Sequence, residues 1–186
     1  AGVCAEAHLR MLQTVLANLT GDKTAKERVG SHWERMGFQG ADPATDLRDL
    51  GMFSVLQMVH LTSTQRLRAA KTVFEFASEK AEGAAGYGFP FALLCISISK
   101  ISLEAMRCGS IIPEMNRRNS VGKVLNDLSM GVLLEFYALW RSEGLSVERG
   151  DFQGAIERLR TRALRAPASL LAAATGPIWK PPETLA

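Results

Sequence analysis

The residues with the most chemical promise lie between Ser31 and Gly51, in the stretch SHWERMGFQGADPATDLRDLG. Arg48 stands there among three aspartates, Asp42, Asp46 and Asp49. A guanidinium is charged at any physiological pH and presents a planar fork of donors, which suits phosphate oxygens and carboxylates alike. Two readings follow from that one property. Arg48 is either a reagent that offers its charge to an anion brought by a partner, or a strut tied to Asp42 or Asp46. The residue types alone leave both open.

The residues around Arg48 predict a tight, preset loop. Gly37 and Gly40 permit backbone conformations that a side chain would forbid. Asp42-Pro43 and Thr45-Asp46 are turn and cap formers: proline fixes φ, and a Thr or Asp side chain can take the first free amides of a following helix. Such a loop presents Leu47 and Arg48 at a helix's N-terminal end, with Gly51 opening the helix. The helix dipole disfavours a cation there, and Asp46 and Asp49 offset this locally. Trp33 and Phe38, an aromatic pair beside glycines, read as packing anchors for the loop. Gln39 reads as a side chain bonded to loop backbone groups.

No other constellation carries a reaction. There is no Gly-x-x-x-x-Gly-Lys-Ser/Thr loop, and Gly86-Tyr87-Gly88 lacks the third glycine and preceding strand of a dinucleotide site, so it reads as a linker between helices. Cys4 and His8 share a helix face, but two ligands fall short of a metal site, and no metal is expected. Cys4, Cys95 and Cys108 have no disulfide-like spacing, which points to a reducing compartment. Arg158, Arg162 and Arg165 fall on one helical face, and Arg117-Arg118 adjoin in a loop; both sets read as solvated faces rather than docking surfaces. A net charge of +3 over 186 residues is too mild for a nucleic-acid interface. The most apolar run, Phe89 to Ser99, is too short to cross a bilayer and reads as buried core. A cytoplasmic domain is expected.

The elements that must position these residues are helical throughout. Leu9, Leu12, Val15, Leu16 and Leu19 line one face of a first helix. Thr24 to Glu27 has the form of a capping box and predicts a second. Met52, Phe53, Leu56 and Val59 mark a third, and Thr62 to Gln65 caps a fourth carrying Leu67, Ala70, Val73, Phe74 and Ala77. Gly83, Gly86 and Gly88 break the chain before Pro90. Ile96 to Ser99 alternates as a strand would, yet Phe91, Leu94, Cys95, Ile98 and Ile101 keep the helical period over a longer window, which predicts a central helix. Residues 109–122 read as a loop, and a long helix from Val124 to Trp140 follows, ended by Gly144. A last helix spans Asp151 to Arg165. The prediction is one compact all-α domain of about seven helices over residues 1–170, with an extended proline-containing tail over 171–186.

The opening stretch resembles the signature of the ELMO domain. The matching residues are Trp33, then Gly37-Phe38-Gln39, then Asp42-Pro43, then Thr45-Asp46-Leu47-Arg48, and Gly51. A second block, Phe89-Pro90-Phe91-Ala92 leading into Ile96, resembles that family's Tyr-Pro-Phe-Ala helix. A weaker likeness covers Phe136-Tyr137-Trp140 and the helix after it. The resemblance implies a GTPase-activating protein for small GTPases of the Arf/Arl family, with Arg48 as the catalytic arginine. GTP and Mg²⁺ would belong to the partner, so no cofactor of its own is implied. Peripheral placement at an endomembrane through the GTPase is a further implication. The alternative kind within the family is a non-catalytic adaptor, as in the ELMO subunits of Dock-type exchange factors, where that arginine is not kept. This chain departs from the usual pattern at Leu47 (for Phe), Asp49 (for Gly) and Ser97 (for Asn). Asp49 bears most on function, because a carboxylate beside Arg48 could pair with it or repel phosphate.

Overall fold

A computed structural model describes residues 3–63, 65–79 and 88–175. Among these residues every regular element is helical, and the fold is all-α. The expected glycine break at Gly83 and Gly86 and the tail beyond Thr175 lie outside the described residues. The chain divides into two compact units. One comprises the residues up to Glu79 together with Gly88–Lys100, and the other runs from Ile101 onward.

The first unit begins with α1, Val3–Thr20, whose Leu12, Val15, Leu16 and Leu19 are buried as their spacing predicts. Gly21, at φ 79°, ends it. The helix expected from Thr24 does not form. Both the amide and the hydroxyl of Thr24 donate to Asp22 Oδ1, each at 2.7 Å, which ties Thr24 into a local turn with Asp22. Such local side-chain bonds compete with helix, and this segment has no apolar stripe whose burial would outweigh them. The one short helix here is α2, His32–Arg35.

Next come α3, Met52–Leu61, and α4, Leu67–Ser78, and α1 packs against both. Thr62 does not cap α4. Its hydroxyl donates back to Met58 O at 2.9 Å, and the chain turns through Arg66 N and Leu67 N donating to Ser63 O. Then α5, Phe91–Arg107, confirms helix over strand for the ambiguous run. Ser97 and Ser99 fit inside it because their hydroxyls return to the carbonyls of Leu93 and Cys95. Phe74 meets Phe91 edge-on, with ring centroids 5.4 Å apart.

The second unit takes the last turns of α5 and adds α6, Ile112–Arg118; α7, Val121–Ser142; α8, Asp151–Arg165; and α9, Pro167–Thr175. The loop expected over 109–122 is largely α6. Pro113 sits in its first turn, Asn119 closes it in the left-handed conformation, and the Ser120 hydroxyl caps α7. The expected boundary at residue 171 falls inside α9. Gly131 on α7 is what lets α9 approach: a Cβ there would lie 1.9 Å from the Leu170 carbonyl oxygen. Phe136, Trp140 and Phe152 form an aromatic cluster between α7 and α8, the first two stacked at 5.2 Å. Among the described residues no helix is long and apolar enough to cross a membrane.

Candidate functional site

The loop is anchored before it is shaped. Trp33 is completely buried and meets the buried Phe38 edge-on at 6.4 Å. Both rings are enclosed by packing, away from solvent. Gly37, at φ 90°, lies against the start of α5, where a Cβ would stand 2.4 Å from Phe91 N and 2.8 Å from Pro90 Cα. Beside it Ala92 N donates to Met36 O at 2.9 Å. Two motif blocks far apart in sequence, Gly37-Phe38-Gln39 and Phe89-Pro90-Phe91-Ala92, are therefore one contact in space.

From that anchor the chain is held by aspartates acting on backbone. Asp42 caps a single 3₁₀ turn, Pro43–Thr45: its Oδ1 accepts from Ala44 N at 3.0 Å and its Oδ2 from Arg28 Nη2 at 2.9 Å. The Ala44 amide first, and then Arg28, hold the Asp42 carboxyl below its ordinary range. The Thr45 hydroxyl donates to Asp42 O at 2.8 Å. Asp46 Oδ2 accepts the Gln39 amide at 2.7 Å, closing the loop across seven residues.

Three expectations need correction here. Thr45 and Asp46 do not cap α3, because both are spent within the loop, and the residue preceding α3 is Gly51 at φ 52°. Gln39 contributes its backbone amide, while its side chain is exposed. Arg48 does not stand at a helix N-terminus. It lies in the turns that follow the 3₁₀ segment, where Gly51 N donates to Leu47 O at 2.7 Å. The conflict with the helix dipole disappears, since Arg48 meets a carbonyl rather than free amides.

Arg48 itself is exposed, and its Nε donates to Thr45 O at 2.7 Å. Among the described residues no carboxylate pairs with it, and its two terminal nitrogens carry no hydrogen bond. The third acid, Asp49, pairs instead with Lys100 of α5. The hydrogen bond from Lys100, helped by its charge, holds the Asp49 carboxyl below its ordinary range. The arrangement is a guanidinium with its stem steadied and its charged fork facing solvent, while each neighbouring acid serves another donor.

Sequence reasoning missed two of these partners. Arg28, the partner of Asp42, sits in a stretch expected to be helical. Lys100 carried a signal, as the first charged residue after the apolar run from Phe89, but nothing local tied it to Asp49. Beside the loop a groove of about 300 Å³ opens, lined by Leu9 and Leu12 of α1, Pro43 and Leu47 of the loop, and Met52 and Val55 of α3. Its lining is mostly apolar and includes Leu47, the residue before the arginine.

Cys95 is buried, and burial pushes its thiol well above the ordinary range, so it is not a nucleophile. No group of three potential metal ligands occurs among the described residues. Two of the three arginines of the α8 stripe are paired: Arg158 makes two bonds of 2.7 Å to Glu143, and Arg162 pairs with Glu135.

A profile of the ELMO/CED-12 family matches residues 4–154. Among curated proteins, the chain is 32% identical over 165 residues to ELMO domain-containing protein 3 of Homo sapiens, covering 88% of this chain and 42% of that protein. It is 25% identical over 136 residues to ELMO domain-containing protein B of Dictyostelium discoideum, covering 73% of this chain and 45% of that protein. Over 174 residues it is 21% identical to ELMO domain-containing protein 1 of Mus musculus, with 85% and 52% covered. The chain thus spans about half or less of the length of these relatives. No solved structure matches it significantly.

Proposed function

Because the chain belongs to the ELMO/CED-12 family, we propose that it is a GTPase-activating protein for a small GTPase of the Arf/Arl family, supplying Arg48 in trans. The observation that carries this reading is the state of Arg48: exposed, bonded among the described residues only through Nε to Thr45 O, and bound by none of its three neighbouring acids. In GTP hydrolysis negative charge builds on the phosphate oxygens of the transition state. An arginine delivered by a partner protein offsets it, with gains of roughly 10³ to 10⁵ in rate.

The loop's construction suits that task. A finger is effective when little freedom is lost on engagement. Here the Asp46 bond to Gln39 N, the Asp42 cap and the Gly37 contact with α5 fix the backbone, and the Thr45 carbonyl fixes the stem. The two terminal nitrogens remain to meet phosphate oxygens. Nucleotide, Mg²⁺ and the attacking water belong to the GTPase. The groove of Leu9, Leu47 and Met52, part of the same loop, provides apolar surface on which the partner can seat. Cytoplasmic placement, peripheral at an endomembrane through the GTPase, goes with this role.

The test is single-turnover GTP hydrolysis by a panel of purified Arf-family GTPases, with the wild-type chain and with Arg48→Lys. At least one member should be accelerated by wild type, and Arg48→Lys should lose about 10³-fold while folding normally, because an ammonium cannot reproduce the fork. A GTP-dependent complex with no acceleration of any member would instead support the adaptor reading.

A further inference from the structure

Of the three aspartates near Arg48, two are committed to backbone amides inside the loop: Asp46 to Gln39 N and Asp42 to Ala44 N. Asp49 is different. It is the next residue in the chain, it is 68% exposed, and no backbone group holds its carboxylate. What holds it is Lys100, which stands on a separate element. The position of Lys100 is in turn set by α5, whose first turn is locked to the loop through Ala92 N on Met36 O and through Gly37 against Phe91 N. The contact that anchors the loop also delivers the lysine to the aspartate.

We propose that Lys100 is a positioning residue for Arg48: by holding Asp49 it keeps that carboxylate off the guanidinium and screens it from an incoming phosphate. An aspartate set free beside an arginine with two open nitrogens has an ion pair within reach. A finger engaged in that pair must break it before it can meet phosphate. The unpaired carboxylate would also repel the same phosphate. Lys100 removes both effects without touching the arginine. Because the pair is exposed, the control is graded and amounts to a few-fold change in rate.

This inference rests on Arg48 acting as a finger, so its test has two readouts. The first is single-turnover hydrolysis with wild type, Lys100→Met, Asp49→Asn and the double variant. Lys100→Met should slow the step about two- to fivefold, in line with an exposed pair. Asp49→Asn should run at least as fast as wild type, and the double variant should recover the wild-type rate. A double variant as slow as Lys100→Met, or a Lys100→Met at full rate, overturns the proposal. The second readout needs no GTPase: the guanidinium ¹⁵N resonances of Arg48 should shift in Lys100→Met and return in the double variant. Absence of that shift overturns the proposal whatever the rates show. If no GTPase is accelerated even by wild type while the shift and its reversal are seen, the finger reading fails and the control of Arg48 by Lys100 stands.

Discussion

Arg118, at the end of α6, and Arg48, in the loop before α3, each have acidic residues nearby in the sequence. Arg118 pairs through Nε with Glu114 and through Nη1 with Asp127 Oδ2 at 2.6 Å. Asp127 is 1% exposed, so that bond compensates a buried charge. Arg117 and then Arg118 hold the Glu114 carboxyl down to about 2. Arg48 has acids just as near and pairs with none of them. The difference lies in where the fold turns the acids: Glu114 takes Arg118 while also holding Arg117, and Asp127 takes Arg118, whereas those around Arg48 serve two backbone amides, Arg28 and a lysine. An arginine's role is set by which acids the fold brings to it.

The sharpest way to break this comparison is to remove the strut. Arg118→Ala removes the guanidinium bonded to the buried Asp127 and to Glu114 and should cost about 3 kcal/mol in urea unfolding. The same change at Arg48 should stay within about 0.5 kcal/mol, as for an exposed residue outside any buried network. Equal losses at the two sites would remove the distinction.

A loss of comparable size is expected where the loop is anchored. Gly37→Ala demands a left-handed backbone and puts a Cβ 2.4 Å from Phe91 N. The conformational cost of about 1–2 kcal/mol and the overpacking cost of about 1–3 kcal/mol add to about 2–5 kcal/mol. Stimulated hydrolysis measured below the melting transition should fall as well, because Arg48 would lose its fixed pose. Full activity in a destabilised variant would mean that the anchor does not position the arginine.

The gentlest effect is electrostatic. Asp49 titrates below its ordinary range because of Lys100, so the pair is intact at neutral pH, and its contribution is lost as pH falls through the folded-state value. In an NMR titration of side-chain carboxyl carbons in an Arg48→Ala background, where no guanidinium can take over, Lys100→Met should raise the Asp49 midpoint toward that of a free aspartate. An unchanged midpoint would show that the lysine does not hold the carboxylate.

Much of the fold was readable because helical period and burial agree: α1, α5, α7 and α8 follow from Leu12-Val15-Leu16-Leu19, Leu94-Ile98-Ile101 and their like. What escaped had its cause elsewhere in the chain. Residues 167–175 are alanine-rich with only Leu170 and Leu171 buried, and their docking depends on Gly131, which has no local mark in the sequence. Thr24 to Glu27 had the letters of a capping box, but Asp22 reached Thr24 first. In the site, the loop's residues and the burial of Trp33 and Phe38 were legible, because glycine, proline and aromatic types act locally. The partners of Asp42 and Asp49 were not, since ion pairs between distant segments exist only once the fold brings them together.

The central claim is that Arg48 binds a partner's phosphate as its charge develops, and the most direct measurement uses a transition-state mimic. A responsive GTPase loaded with GDP should form a stable complex with the wild-type chain only when aluminium fluoride is present, as followed by gel filtration. Arg48→Lys should abolish that fluoride-dependent complex. A complex of equal strength with both proteins, or one that forms with GTP and ignores fluoride, would contradict the account.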